Sequence, residues 1–366
     1  MRLTRLLSGL VLAALTAPAW SQDYQIETVA SGLEHPWSIA WLPDGRALVT
    51  ERAGRLRIVD DGRLLPEAVA GLPPVYAAGQ GGLFEALPGP RYAETGWIYL
   101  SYAHGTPEEN ATRVARARLA DHELVDLEVL FTARPAKDTP VHYGGRMVFL
   151  PDGTLLVGLG DGFDYREAAQ RLDSHLGTIV RIAADGGVPP DNPFADRDDA
   201  LAEIYSYGHR NVQGLAVDAA TGTVWQHEHG PRGGDELNRI QPGANYGWPV
   251  ATRGIDYSGA LVSPFESRPG TVDPLHVWTP SIAPAGLALY TGDAFPQWRG
   301  DLLVSGLVSA DVRRLTPDDG RVVERGSLFG EVGERLRDVR PGPDGFIYLL
   351  TDAANGRVLR VRPAGD

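Results

Sequence analysis

A chain of 366 residues with 43% hydrophobic content is long enough to bury a sizeable core, and its 44 glycines and 28 prolines favour turns over long helices. A formal net charge of −13 argues against nucleic acid or an anionic membrane surface as a partner. The absence of cysteine excludes disulfides, thiolate metal sites, iron–sulfur clusters and cysteine nucleophiles.

Residues 1–21 read as a secretory signal peptide. Arg2 and Arg5 form the positive start, Leu6 to Leu15 the apolar core, and Ala19 and Ser21 an A-x-S cleavage pattern. The apolar run is too short for a membrane anchor, and no later segment reaches about 18 uninterrupted apolar residues. The reading is an exported protein, periplasmic or secreted, with one domain over 22–366 and no membrane insertion.

One phrase then recurs along the chain. It begins as IAWLPDGRALVTER at 39–52, loosens at 85–102, and returns as MVFLPDGTLLVGLGD at 147–161. LAVDAATGTVWQHEH at 215–229, a longer-turned version at 287–306 and VRPGPDGFIYLLTD at 339–352 complete the series. Each is an apolar strand, a Gly-containing turn and a second apolar strand, and Asp-Gly between such runs is a strong hairpin signal. Six hairpins spread over the chain suggest an all-β fold, a six-bladed β-propeller with about four antiparallel strands per blade. A β-sandwich with ordinary hairpins is the alternative. Helical periodicity is poor beyond the leader.

Polar clusters sit at the edges of these hairpins. Gln80 lies among glycines in AAGQGGL before the second hairpin, and His142 in VHYGGR before the third. Asp161 ends the third hairpin, so a shared rim brings its carboxylate to His142, fixing the tautomer and leaving the other ring nitrogen as a base. On the residues alone, a surface histidine beside a turn aspartate is the plainer reading. In YGHRNVQG, Arg210 and Asn211 offer donors for a carboxylate, or cap a turn. Arg335 and Arg337, at i and i+2 before the last hairpin, form a candidate anion clamp.

The stretch HEHGPRGGDELN, 227–238, breaks both helix and strand periodicity after His229. His227 and His229 share a strand face, but no third ligand follows at zinc spacing. For calcium the loop offers the Gly230 and Pro231 carbonyls, Asp235 and Glu236, and NYGWP at 245–249 can return a further carbonyl.

These blocks together, GQGGL, VHYGGR, LGTIVRI with PDNPF, YGHRNVQG, EHGPRGGDELN, NYGWP and PSIAPAGLALYTGD, resemble the soluble aldose sugar dehydrogenases. That family is related to soluble quinoprotein glucose dehydrogenase and uses pyrroloquinoline quinone (PQQ). The resemblance spans nearly the whole mature chain. It implies a six-bladed propeller with PQQ and Ca2+ at the centre of one face. It also implies that His142 is the catalytic base and Asp161 its orienting carboxylate. Gln80, Arg210, Asn211, Arg335 and Arg337 would bind PQQ. Gly230 and Pro231 would hold the catalytic calcium through their carbonyls, and Glu236 and Tyr246 a further, structural calcium.

Two departures stand out. Where the family often carries a lysine that pairs with a quinone carboxylate, this chain has Val308, with Arg313 as a nearby substitute. The loops between hairpins read as short, leaving the site open to varied sugars. The implied reaction oxidises the anomeric hydroxyl of an aldose sugar to a lactone and passes electrons to an external acceptor, in a monomer or homodimer. The alternative is a calcium-dependent propeller lactonase or other hydrolase.

Overall fold

The structure is a computed structural model that describes residues 24–365. The predicted signal peptide lies outside the described residues. Six four-stranded antiparallel sheets account for almost all regular structure, alongside one short helix, Tyr92–Thr95, and three 3-10 turns.

Five sheets are contiguous in sequence, over 36–64, 83–132, 144–207, 212–278 and 284–328. The sixth takes three strands from 336–363 and its outermost strand, Tyr24–Leu33, from the other end of the chain. That strand pairs antiparallel with Gly356–Pro363, Tyr24 opposite Pro363, and closes the ring. The expectation of a six-bladed propeller holds, and each of the six predicted hairpins forms the first two strands of one blade.

The order of strands follows from their burial. First strands of successive blades touch one another all the way round and line the central channel. Second strands such as Ala47–Glu51, Leu155–Leu159 and Ile347–Thr351 are buried along their whole length. They lie between neighbouring blades, which is why they read as continuous apolar runs. The fourth strand Arg321–Leu328 alternates exposed and half-buried residues, the period-2 pattern of a sheet edge facing water.

One irregularity repeats in every blade. The pairing of the first two strands shifts register near the start of the first strand, at Pro36/Ser38, Leu83/Ala86 and Gly144/Met147. The other blades shift at Val212/Gly214, Pro284/Leu287 and Leu336/Asp338. A bulge bends its strand and re-aims side chains, so six bulges at one level turn the strand entrances toward the axis. Below them the channel is closed by charge. Arg146 is buried on the axis, with Nη2 3.1 Å from Asp338 and Nη1 3.5 Å from Glu85. Its guanidinium lies 4.1 Å from the Trp37 ring centroid.

Candidate functional site

Gln80, His142, Arg210, Gly230 and Arg335 occupy the same face of the ring, where first strands begin and second strands end. The local backbone there is unusual. His142 takes a left-handed φ of 52°, and Gly144 and Gly145 follow at 70° and 103°. A Cβ on Gly144 would lie 2.3 Å from the Gly158 carbonyl, and one on Gly145 2.6 Å from Phe84. Only glycine permits this approach, and the approach sets His142 on the rim.

Nδ1 of the His142 ring lies 2.6 Å from Asp161 Oδ1, and both side chains are buried. The second Asp161 oxygen accepts the Trp248 indole N–H at 2.7 Å, and the Phe163 backbone N–H also reaches Oδ1, at 2.8 Å. The His142 N–H donates to Gln80 Oε1 at 2.8 Å. Asp161 therefore fixes the imidazole with its proton on Nδ1, and nothing among the described residues hydrogen-bonds Nε2. Burial pushes the His142 pKa below the usual imidazole range, against the pull of Asp161. The ring is thus neutral at neutral pH, with a lone pair on Nε2.

Beside this dyad is a cavity of about 270 Å³ on the channel axis. Gln80, Asn211, Arg335 and Arg337 line it, together with Arg52, Asp352, Trp37 and Val308. The two arginines point at one carboxylate, and it belongs to the chain itself. Asp352 Oδ2 lies 3.0 Å from Arg337 and 3.4 Å from Arg335. Burial raises the Asp352 pKa, but Arg337, His35 and Arg335 outweigh it and hold it at about 2. Asp352 escaped the sequence reading because nothing local marks it; it sits at the far end of the same hairpin. Arg313 does not reach the cavity, being held by Asp311 and Glu324 at 3.0–3.2 Å. The additional guanidinium of the cavity is Arg52, which makes no side-chain hydrogen bond to any described residue.

A second recess of about 790 Å³ adjoins the first through His229, Ala283 and Val308, and Gly230, Pro231 and Tyr257 line it.

Residues 33–360 match the family model described as Glucose / Sorbosone dehydrogenase. The chain belongs to the glucose/sorbosone dehydrogenase family. It is 40% identical to aldose sugar dehydrogenase YliI of Escherichia coli strain K12, over 96% of this chain and 97% of the relative. A solved glucose dehydrogenase superposes with a TM-score of 0.89 at 45% identity, covering 92% of this chain and 99% of its own. The PQQ-bound aldose sugar dehydrogenase of Streptomyces coelicolor superposes at 0.76 with 28% identity, covering 93% and 98%. The family is one of oxidoreductases, and this chain matches it over residues 33–360.

In this dehydrogenase the loop after His229 is organised by Asp235. Its carboxylate accepts the Gly230 N–H at 2.9 Å, the Ser281 hydroxyl at 2.6 Å, and the Ile282 and Ala283 N–H groups at 2.9 and 3.0 Å. Asp235 is therefore a scaffold for the loop and has no free face for a metal. His227 and His229 do share a face, but each donates Nε2–H to a carbonyl of the next blade, Gly286 at 3.2 Å and Pro284 at 2.8 Å. Their Nε2 atoms are thus committed to packing against the fifth blade. The Gly230 carbonyl does attract a cation, the Arg210 guanidinium at 2.8 Å. Arg210 thus binds the loop rather than lining the axial cavity.

Glu236 and Tyr246 lie deeper. Glu236 stands directly across the strand pair from Glu228, and both are poorly exposed. Like charges opposite one another destabilise a sheet. Burial first, and then Glu228, push the Glu236 carboxyl up to about 8. The neighbouring Asn238 Oδ1 is buried without a partner. Tyr246 stacks on His209, ring centroids 4.8 Å apart, and His209 Nδ1 lies 2.9 Å from Glu228. Among the described residues no group of three or more His, Cys, Asp or Glu could hold a metal ion. A cation here would draw on amide and carbonyl oxygens as well as carboxylate.

The long excursion 241–275 corrects the expectation of short loops: it brings Trp248 to Asp161 and Tyr257 to the second recess. Only NYGWP, 245–249, marks it in the sequence as part of a site; nothing marks Tyr257.

Proposed function

We propose that the chain is a PQQ- and calcium-dependent aldose dehydrogenase, oxidising the anomeric C–OH of a sugar to a lactone and passing electrons to an external acceptor. The observation that carries this is the His142–Asp161 dyad beside an axial cavity lined by three guanidiniums and flat aromatic rings. Arg52, Arg335 and Arg337 line the cavity against one internal carboxylate, Asp352, which pairs with Arg335 and Arg337, so the cavity suits an anion with several carboxylates. Trp37, Phe84 and Tyr143 supply flat faces for a planar ring system. PQQ is such a molecule, and when bound it supplies hydride-accepting chemistry that no side chain has.

His142 Nε2 takes the proton of the anomeric hydroxyl. Asp161 holds the ring in the tautomer that can do so and stabilises the imidazolium that results. Gln80 and Asn211 position the His142–Gly144 backbone, through Gln80 Oε1 to the His142 N–H and Asn211 Oδ1 to the Gly144 N–H at 3.2 Å. Arg335 and Arg337, which also pair with Asp352, would hold the carboxylates of bound PQQ. If calcium binds, the Gly230 and Pro231 carbonyls would hold it and it would supply Lewis-acid chemistry there, the Gly230 oxygen then exchanging the Arg210 guanidinium for the ion. The predicted leader places the reaction in the periplasm or outside the cell.

The test is dye reduction by the purified protein titrated with PQQ and Ca2+ in the presence of aldoses. Lactone hydrolysis without quinone would replace this reading with that of a hydrolase. Arg337→Ala should weaken PQQ binding by about 1.5–3 kcal/mol, as for a hydrogen bond to a charged group. Arg335→Ala should cost less, because half of its side chain is exposed whereas Arg337 is largely buried. Equilibrium titration of PQQ measures both, and unchanged affinity in the pair would put the cofactor elsewhere.

Glu236 and the Tyr246 segment are assigned to a structural calcium. A ligand bound only by the folded state stabilises it by about 2.7 kcal/mol at 100 times its dissociation constant. The Glu236→Gln protein should therefore melt lower than the parent in calcium and gain little from added calcium, while retaining part of its reconstituted activity. Identical melting of the two proteins with and without calcium would leave Glu236 without a metal.

A further inference from the structure

We propose that Phe163 and Tyr257 form an aromatic platform beside His142 that receives the C–H face of the sugar ring and sets the sugar preference of the site. The proposal rests on the dehydrogenase reading above and adds where the substrate lies.

Phe163 is held where a bulky residue is rarely found. Its φ is 68°, in the left-handed region that bulky residues rarely adopt without strain. Core burial does not offset this, since Phe163 is 43% exposed. Its backbone N–H donates to the same Asp161 oxygen that holds His142. The strain thus fixes an exposed ring against the base: the two rings meet edge to face, centroids 5.2 Å apart at 79°.

Tyr257 stacks beside Phe163. It is 59% exposed, and its ring is within 24° of parallel to Phe163, centroids 6.3 Å apart. It stands at the tip of a small turn that is braced on two sides. Ile255 exchanges backbone hydrogen bonds with Arg232 of the glycine-rich loop and bridges to Leu261. Asp256 accepts both the backbone N–H and the hydroxyl of Ser258, at 2.9 and 2.7 Å. An exposed aromatic on a braced turn, lining the recess that contains Gly230 and Pro231, is placed for a ligand rather than for the core.

The chemistry of a pyranose matches such a surface. Its hydroxyls point outward round the ring, whereas its axial C–H bonds make an apolar face. The electron-rich face of an aromatic ring attracts those C–H groups and excludes water from them. Stacking on Phe163 and Tyr257 would present the anomeric hydroxyl toward Nε2 of the adjoining His142. A sugar with an axial hydroxyl on the stacked face would fit less well, which is the basis for a preference.

The experiment uses the holoenzyme with PQQ and calcium, an aldose panel, and 1,5-anhydroglucitol, which has the ring but no anomeric hydroxyl. Tyr257→Ala is the main variant because the side chain is exposed and its loss leaves the fold intact; Phe163→Leu and Tyr257→Trp accompany it. Tyr257→Ala and Phe163→Leu should raise KM for pyranoses about tenfold with kcat within about twofold. Inhibition by 1,5-anhydroglucitol should weaken in parallel, PQQ affinity should not change, and Tyr257→Trp should restore KM. Parental KM and inhibition in both variants overturn the platform while leaving the dehydrogenase reading intact. So does a loss confined to PQQ affinity, or one confined to the KM of the electron acceptor. Failure of the parent protein to oxidise any aldose would instead remove the reading on which the platform rests.

Discussion

Replacing His142 with alanine is expected to lower aldose turnover by about 100-fold or more, the scale of a general base, while folding and PQQ binding persist. The side chain acts through Nε2 alone, because Nδ1 is committed to Asp161 at 2.6 Å. The dyad also fixes the pH dependence. Burial lowers the His142 pKa, so the neutral, proton-accepting form persists below the ordinary imidazole value near 6.5. Turnover should be level through neutral pH and fall only on the acid side, as the ring protonates. Asp161→Asn should lose turnover by a similar mechanism, since an amide no longer dictates the tautomer. Stopped-flow reduction of bound PQQ by sugar separates this chemical step from reoxidation. A near-parental rate in His142→Ala removes the residue from the mechanism.

The second large effect concerns stability. Arg146→Met should destabilise the protein by about 3–5 kcal/mol, because it strips one cation from a buried cluster and leaves an uncompensated charge. Arg146 and Arg340 face Glu85 and Asp338, two cations against two anions, all poorly exposed. Arg146 also donates to carbonyls of three other blades, Gln213 at 2.9 Å and Ala285 and Arg337 at 3.4 Å. Adding Asp338→Asn should recover part of the loss by restoring neutrality. Chemical denaturation of the two variants measures both effects. Equal stability of Arg146→Met and parent would mean that the cluster contributes nothing to holding the blades together.

The sequence shows the repeating part of this fold clearly and the assembled part poorly. Each blade's first hairpin is announced by two apolar runs around a Gly-containing turn, a signal that lies within about twenty residues. The closing strand Tyr24–Leu33 carries no such signal, since its partner lies at the other end of the chain. The site behaves likewise. His142, Asp161, Arg335 and Arg337 flank hairpins and could be grouped by position. Trp248, which holds the second oxygen of Asp161 from 87 residues away, could not. Arg210 was legible as a site residue, but its engagement with the Gly230 carbonyl was not, because that depends on how the fourth blade folds back.

The ring closure has a kinetic consequence. Five blades are contiguous and can form as soon as their own residues are available, but the sixth needs both chain ends. Enclosing so long a loop adds little in free energy, about 0.6 kcal/mol per doubling of length, but pairings distant in sequence form slowly. Arg335, Arg337 and Asp352 all belong to that last blade. A chain folded only as far as the fifth blade would have its base in position and no wall of arginines opposite it. The outer pairing of 24–33 with 356–363 then completes the blade that carries them. Hydrogen exchange should find amides of 24–33 and 356–363 opening together, ahead of the inner strands, and slower to open once PQQ is bound.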